Sequence, residues 1–593
     1  MRPSSCVTAE TVLLRGDAMT MSDSDQTTRA AQASQAAQAS ETPQAGEPAR
    51  SPRPNAVLAA VLDSKLASPD APAFRAHGCR ATTYGELWDT STRIAGELAA
   101  RTSDRAPIVV IGPKSTMTVA TFLACLRSGH AFVPMDVSMP ATRIRDVVDQ
   151  IEAGEGGRAL VIATTSPDDP DVADVIPQDC LYALDLIADS YRRRGRTERD
   201  DVAGHPAPVA TLYEPSERDR WVRGEETQYI IFTSGSTGRP KGIEVTANDV
   251  ANFACWMHMF PVVADRRRTF LDQAPYSFDL SEYGLVGALT TGGCLYAIDA
   301  HAKDDARLLY EELAESQVDV WVSTPSFATL CLADPTFDRN LMPHVSLFLF
   351  CGETLGHRTA SMLAKRFPHA RVANTYGPTE STVAVTYCEV TPEMLASDDA
   401  LPVGRPRPGT QLRIMGTDAE GGLADELPRG ETGEIVIVGD TVAKDYYHNP
   451  AKTEAAFFPA TFSDGRPTRA YRTGDLGYLD EGGMLHYLGR NDSLVKMNGF
   501  RIELGDVENN LASLAGVGQA AIVPVRRNGE VTNLRGFVVL DHDEPTEDET
   551  PRRLRERLGE LVPAYMLPRR IAVLPEMPLT ANGKIDRKAL VAM

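Results

Sequence analysis

Short apolar runs such as "APIVVIG", "ALVIA" and "VSLFLF" alternate along this chain with helical patterns such as "TVATFLACLRSG" and "TASMLAKRF". Strands alternating with helices point to layered α/β architecture with parallel strands. The pattern holds from about Asn55. Residues 22–53 are built largely of Ala, Gln, Ser, Pro and Glu with almost nothing to bury, and the segment 1–53 is expected to be disordered; translation could begin at Met19 or Met21. A chain of 593 residues requires two or more domains. The expected division is a large domain over 54–490 and a small α/β-like one over 491–593, with no internal repeat. Residues 187–227 are highly charged and read as a surface excursion.

Lys+Arg 60 against Asp+Glu 81 leaves a net charge of −21. That balance argues against general affinity for nucleic acid or anionic lipid. No apolar run approaches bilayer length, and the N-terminus lacks a secretory pattern. The nine cysteines are scattered, with no CxxC pair, which suits a reduced cytoplasmic protein.

The stretch "YIIFTSGSTGRPKG", Tyr229 to Gly242, carries the first chemical signal. A P-loop requires G-x-x-x-x-G-K-[ST]. Here Lys241 follows Pro240 and precedes Gly242, so that pattern fails. Hydroxyls, glycine N–H groups and a lysine nevertheless suit a loop wrapped around polyphosphate. In isolation the same residues read as a Gly/Ser surface turn.

In this loop the sequence resembles the adenylate-forming superfamily of acyl-CoA synthetases, luciferases and nonribosomal peptide synthetase adenylation domains. Seven further strings follow that family's order: "TYGEL", "LRSGHAFVPMD", "NTYGPTE", "GETGEIVIVG", "YRTGDLG", "GRNDSLVKMNGFRIELGDVE" and "NGKIDRKAL". The resemblance spans roughly residues 55–593. It implies a large N-terminal adenylate-forming domain of layered sheets and helices with a small mobile C-terminal α+β domain. A carboxylate, already ionised at pH 7, would attack the α-phosphate of ATP and expel pyrophosphate. Positioning and cations then carry the catalysis, and no Ser-His-Asp signature is present.

By the same resemblance the nucleotide is held by Thr233, Ser234, Gly235, Ser236, Thr237, Gly238, Gly352, Glu353, Asn374, Thr375, Tyr376, Asp475 and Arg490. Lys241, Thr379 and Lys584 are the catalytic candidates, and Glu380 is the Mg²⁺ ligand. Tyr376 would stack on adenine, Asp475 would accept both ribose hydroxyls, and Arg490 would contact ribose or phosphate. Read singly, these residues also suit turns and loops.

In "YSFDLSEYGL", Asp279 resembles the aspartate with which amino-acid-activating members bind the α-ammonium; Asp279-Leu280-Ser281-Glu282 reads equally as a helix capping box. The stretch from "VDVWVSTPSF" to "FLFCGETL" looks like the D-alanine–D-alanyl carrier protein ligases, in which a cysteine at the position of Cys351 packs against a small substrate side chain; the alternative is an inert buried thiol. The group's second step is attack by a carrier's phosphopantetheine thiol on the aminoacyl adenylate. Asp492 would be the hinge, and Lys496 and Gly499 the face presented for thioester formation. One small domain would thus bring Lys584 to the site first and the Gly499 loop later.

No pantetheine-attachment motif is present, so the expected acceptor is a separate carrier protein. "RRLRER", Arg552 to Arg557, reads either as a surface for an acidic carrier or as a solvated helix face. The expected function is ATP- and Mg²⁺-dependent loading of D-alanine onto that carrier for cell-envelope D-alanylation of the teichoic acid type. The alternatives are a free-standing enzyme loading another small amino acid in a peptide pathway, and a silent nucleotide-binding protein.

Overall fold

The computed structural model describes residues 54–593 apart from 167–175, 178–179, 194–217, 236–238, 265–266, 300–301, 303–304, 398, 419–421, 491–493, 528–529, 542–546 and 579–584. The segment 1–53 and the candidates Ser236, Thr237, Gly238, Asp492 and Lys584 therefore lie outside the described residues.

The apolar runs form buried strands. Ile108–Ile111 pairs in parallel with Phe132–Met135 and with Leu160–Ala163, inside a seven-stranded sheet. Leu347–Phe350 pairs in parallel with Val320–Ser323 and Arg371–Tyr376, inside a nine-stranded sheet. Some helices are buried almost all round. In Thr116–Ser128 every residue from Thr118 to Arg127 is buried, and the helix stops at Gly129, whose φ of 95° suits glycine. Arg127 is tolerated in that core because its guanidinium donates to the Trp88 carbonyl, Ser91 Oγ and Thr92 Oγ1 and lies over the Trp88 ring. The "TYGEL" string is a helix start: Thr83 and Glu86 form a reciprocal capping box at Tyr84–Arg101.

A third, antiparallel sheet of six strands is centred on Gly433–Gly439, and its strand Leu485–Arg490 pairs with Pro467–Leu479. The chain then enters the small domain. This comprises the hairpin Leu494–Met497 and Phe500–Glu503, the helix Leu504–Ala512, and three strands, Val517–Arg527, Glu530–Leu540 and Arg570–Val573. Its own core gathers Val507, Leu511, Leu534, Val538, Leu554 and Leu558. The last two, four apart, are the inward stripe of the helix Pro551–Leu558. On its outer face Arg552 and Arg553 pair with Glu556 at 2.8 and 3.0 Å.

The charged stretch 187–227 is not a surface excursion throughout. Its first residues belong to the helix Ala183–Arg193. Trp221 and Val222 are 4% and 1% exposed, with the Trp221 ring set edge-on to Trp88. Two apolar residues decide burial locally, whatever the average charge around them.

Candidate active site

The glycine-rich loop leaves the strand Thr227–Thr233 and returns as Lys241–Thr246, antiparallel, with Thr233 opposite Lys241. Its flanks pair as a hairpin and not as a strand-to-helix turn. A Cβ on Gly235 would run into the Arg239 carbonyl, and the buried Thr233 hydroxyl has no hydrogen-bond partner among the described residues. Ser234 Oγ donates to the Arg501 carbonyl at 2.8 Å and accepts the Glu503 N–H at 3.1 Å. Lys241 is buried, with Nζ 3.4 Å from Glu380 and 3.3 Å from Glu503. Burial, then the nearby Arg501, pulls its ammonium below the ordinary lysine value, against the opposing pull of the two carboxylates.

Glu380 is fully buried. Its Oε2 accepts Arg501 Nη1 at 2.6 Å, and its Oε1 accepts the Tyr446 hydroxyl at 2.8 Å. Burial alone would push its carboxyl up; Arg501 and Lys241 outweigh that and hold it well below the usual range. Among the described residues no group of three or more His, Cys, Asp or Glu could hold a metal ion. In this arrangement a divalent cation does not fit at Glu380, since a guanidinium already occupies one oxygen and repels it.

Asp475 is engaged at both oxygens, by the Tyr376 hydroxyl at 2.6 Å and Arg490 Nη1 at 2.7 Å. The three residues assigned to adenine and ribose thus stand together, each already satisfied by another. The Tyr376 ring lies beside Tyr487, with Lys496 over both. Thr375 is tied into the core, donating to the Phe350 carbonyl and accepting from Tyr283. Asn374 donates to the Pro402 carbonyl, while its buried Oδ1 has no partner among the described residues. Glu353 spans the two domains: it accepts the N–H of Gly499 at 2.7 Å and of Ser326 at 3.1 Å. Gly352 sits in the left-handed region, with φ 91°, that favours glycine.

A cavity of about 540 Å³ opens beside these groups. Asp279, Cys351, Gly352, Val383, Gly499 and Phe500 are among its lining residues, so the ammonium candidate, the thiol and the small-domain hairpin face one space. Asp279 begins a 3-10 turn, and neither that turn nor the helix Glu282–Thr291 carries a side-chain N-cap bond, so the capping box does not form. The surface left on Asp279 faces the cavity. Burial raises its carboxyl to about 6, the Thr379 hydroxyl draws it down, Glu380 pushes it up, and Lys496 and Arg501 draw it down. Cys351 is buried, with Sγ 3.9 Å from the Val383 carbonyl. Burial pushes its thiol up, away from nucleophilic use.

Sequence reasoning missed Arg501, Glu503, Tyr446 and the aromatic contact of Phe278 with Phe500 at 4.5 Å. Arg501 and Glu503 carried one usable signal, a spacing of two on a short strand, which places them on one face.

The AMP-binding enzyme family matches residues 63–447, and its C-terminal domain matches residues 506–584. This chain belongs to the AMP-binding enzyme family. Among AMP-binding relatives, the D-alanine–D-alanyl carrier protein ligase of Bacillus licheniformis is 41% identical over 511 residues, 86% of this chain and 93% of that one. That of Listeria welshimeri is 37% identical over 527 residues, 88% and 96% of the two chains. An NRPS protein containing adenylation and PCP domains aligns with a TM-score of 0.71 at 26% identity, over 90% of this chain and 83% of its own. The Vibrio cholerae adenylation domain AlmE, in complex with glycyl-adenosine-5'-phosphate, shares the fold with a TM-score of 0.72 at 23% identity, over 92% and 99%. Among the described residues of this AMP-binding enzyme no helix is long and apolar enough to cross a membrane.

Proposed function

We propose that this protein activates D-alanine with ATP to D-alanyl-AMP and passes the acyl group to the phosphopantetheine thiol of a separate carrier protein, feeding cell-envelope D-alanylation from the cytoplasm. The observation that carries this reading is a carboxylate and a small thiol, Asp279 and Cys351, on the wall of one cavity, in a chain 41% identical to a D-alanine–D-alanyl carrier protein ligase.

In this reading Asp279 binds the amino acid's ammonium, which needs a carboxylate partner in a largely buried site. Cys351 and Val383 leave room for a methyl group and little more. The substrate carboxylate is the nucleophile, and the nucleotide lies along Asp475, Tyr376 and the Thr233–Gly235 end of the loop. Lys241, Thr379 and Lys584 place positive charge and a hydroxyl where charge builds at phosphorus. Mg²⁺, which would shield the phosphates, is assigned to Glu380 in an arrangement from which Arg501 has withdrawn. The hairpin carrying Lys496 and Gly499 stands at the cavity in the position suited to the thiol step, with Asp492 as hinge.

Pyrophosphate exchange into ATP, measured with D-alanine, L-alanine, glycine and D-serine, tests the reading. D-alanine is expected to support the fastest exchange and to appear as a thioester on a phosphopantetheinylated carrier. Preference for another amino acid, or no exchange at all, would overturn it.

A further inference from the structure

One wall of the cavity is a short connection between elements. The strand Thr269–Asp272 of the nine-stranded sheet ends, residues 273–278 follow, and Asp279 opens the 3-10 turn. Gln273, Ala274, Pro275 and Phe278 line the cavity together with Asp279. Residues 273–278 belong to no strand, so no ladder holds them in place. They are held instead through Asp272. The Tyr276 hydroxyl donates to Asp272 Oδ2 at 2.6 Å, four residues back, and closes the connection on itself. The other oxygen, Oδ1, accepts Lys114 Nζ. Lys114 comes from the other large sheet: it lies between the strand Ile108–Ile111 of the seven-stranded sheet and the helix Thr116–Ser128. Its ammonium also stands over the Tyr276 ring, 4.1 Å from the centroid, and that ring meets Phe122 of the same helix edge-on at 5.4 Å. Side-chain exposures of 12% for Lys114 and 0% for Asp272 keep water from competing for these bonds. None of the three is a lining residue of the cavity. A buried ion pair adds little net stability over apolar residues of the same volume. What this carboxylate adds is direction, one oxygen for each neighbour.

We propose that Lys114, Asp272 and Tyr276 form a buried clamp that sets the amino-acid wall of the cavity: Asp272, held from the seven-stranded sheet by Lys114 and from within the connection by Tyr276, fixes residues 273–278 and with them the place from which Asp279 meets the substrate ammonium. The proposal rests on the adenylation reading and adds three positioning residues to it, none of which touches substrate. The clamp acts on the amino acid and not on the nucleotide, because Tyr376, Asp475 and Arg490 stand on other strands, Arg371–Tyr376, Pro467–Leu479 and Leu485–Arg490. The ammonium contact is the same in the bound ground state and at the transition state. Loosening the wall therefore removes uniform binding, which raises KM and leaves kcat.

Pyrophosphate exchange by the full chain, with D-alanine and ATP varied separately, tests this beside thermal melting. Tyr276→Phe keeps the ring on Phe122 and the ion pair and removes only the hydroxyl. It is expected to raise KM for D-alanine about three- to tenfold, the range for one lost hydrogen bond, with kcat and KM for ATP within about twofold of the parent. The double variant Lys114→Met with Asp272→Asn removes both charges and leaves none stranded. It is expected to melt within about 3 °C of the parent, since neutralising both partners of a buried pair costs little, and still to show the raised KM for D-alanine. Stability and amino-acid affinity are thereby separated. If either variant has the parent's KM for D-alanine, the clamp does not position the wall and the proposal fails while adenylation stands. If kcat and both KM values worsen together in step with earlier melting, the three residues serve general stability and the proposal fails in the same way. Should the double variant not fold, Tyr276→Phe decides alone. No exchange by the parent with any amino acid sinks this inference and the adenylation reading together.

Discussion

Asp279 bears its negative charge at a cost. Burial lifts its carboxyl to about 6, above the ~4 of an unfolded chain. The folded protein therefore holds an extra proton between those values, and this residue's contribution to stability declines as pH rises across that window. Asp279→Asn should stabilise the empty protein by about 1–2 kcal/mol at pH 7 while abolishing amino-acid-dependent pyrophosphate exchange; calorimetric melting and the exchange assay check the two halves. In the parent, the apparent KM for the amino acid should climb as pH falls through about 6, because the ammonium needs the ionised partner. A KM that stays flat from about pH 5 to 7.5 would remove Asp279 from that role. Cys351→Ala should shift the D-alanine to D-serine ratio of kcat/KM by about three- to tenfold, the range for a small change in an apolar wall; an unchanged ratio would leave the thiol as packing. That both residues line one cavity agrees with the sequence reading, which singled them out because family strings surround them. Arg501 and Glu503 were not legible as a pair, since "FRIE" shows that they share a face but cannot show what that face meets.

At the scale of elements, legibility followed burial. "TVATFLACLRSG" reads as a helical pattern and lies in the helix Thr116–Ser128, which Gly129 ends. "SLFLF" reads as a strand and forms Leu347–Phe350. The glycine-rich loop was read as a phosphate holder, but its return as an antiparallel strand depends on pairing between Thr233 and Lys241 that no local residue specifies. The excursion at 187–227 was misjudged because average charge concealed Trp221 and Val222. In the small domain the arginine-rich helix Pro551–Leu558 is held by Leu554 and Leu558 alone among its own residues. Leu554→Ala should cost about 2–5 kcal/mol of that domain's stability. Hydrogen exchange should then quicken in Val517–Arg527 and Glu530–Leu540 and leave the seven-stranded sheet unaffected. Uniform quickening would mean that the two domains unfold as one.

For the molecule as a whole, the arrangement depends on polar contacts between the large and small domains, one of them a buried ion pair away from the cavity. Arg143 Nη2 donates to Asp506 Oδ2 at 2.8 Å with both side chains nearly buried, and Thr142 donates to the Glu560 carbonyl. Removing the guanidinium takes the counter-ion from a buried carboxylate that keeps only neutral donors such as Asn510 Nδ2, at up to roughly 3–5 kcal/mol, and penalises the arrangement in which the two meet. Arg143→Ala should therefore lower thioester formation on the carrier by about tenfold or more and leave pyrophosphate exchange within about threefold of the parent. Equal losses in both would assign Arg143 to general stability. Architecture at this scale was legible through the order of the family strings, whereas the angle at which the small domain sits was not. That angle depends on contacts such as Arg143–Asp506, between residues 363 apart in the chain.

Val383 stands in the left-handed region with φ 69°, next to Thr382 at 58°, and it lines the cavity beside Cys351. A β-branched residue pays for that conformation, and glycine would relieve it, yet glycine would also widen the space in which one methyl group is told from a larger one. Heat resistance and discrimination are therefore opposed at a single codon. A laboratory lineage selected only for survival at high temperature should drift toward Gly at this position and become less choosy about its amino acid.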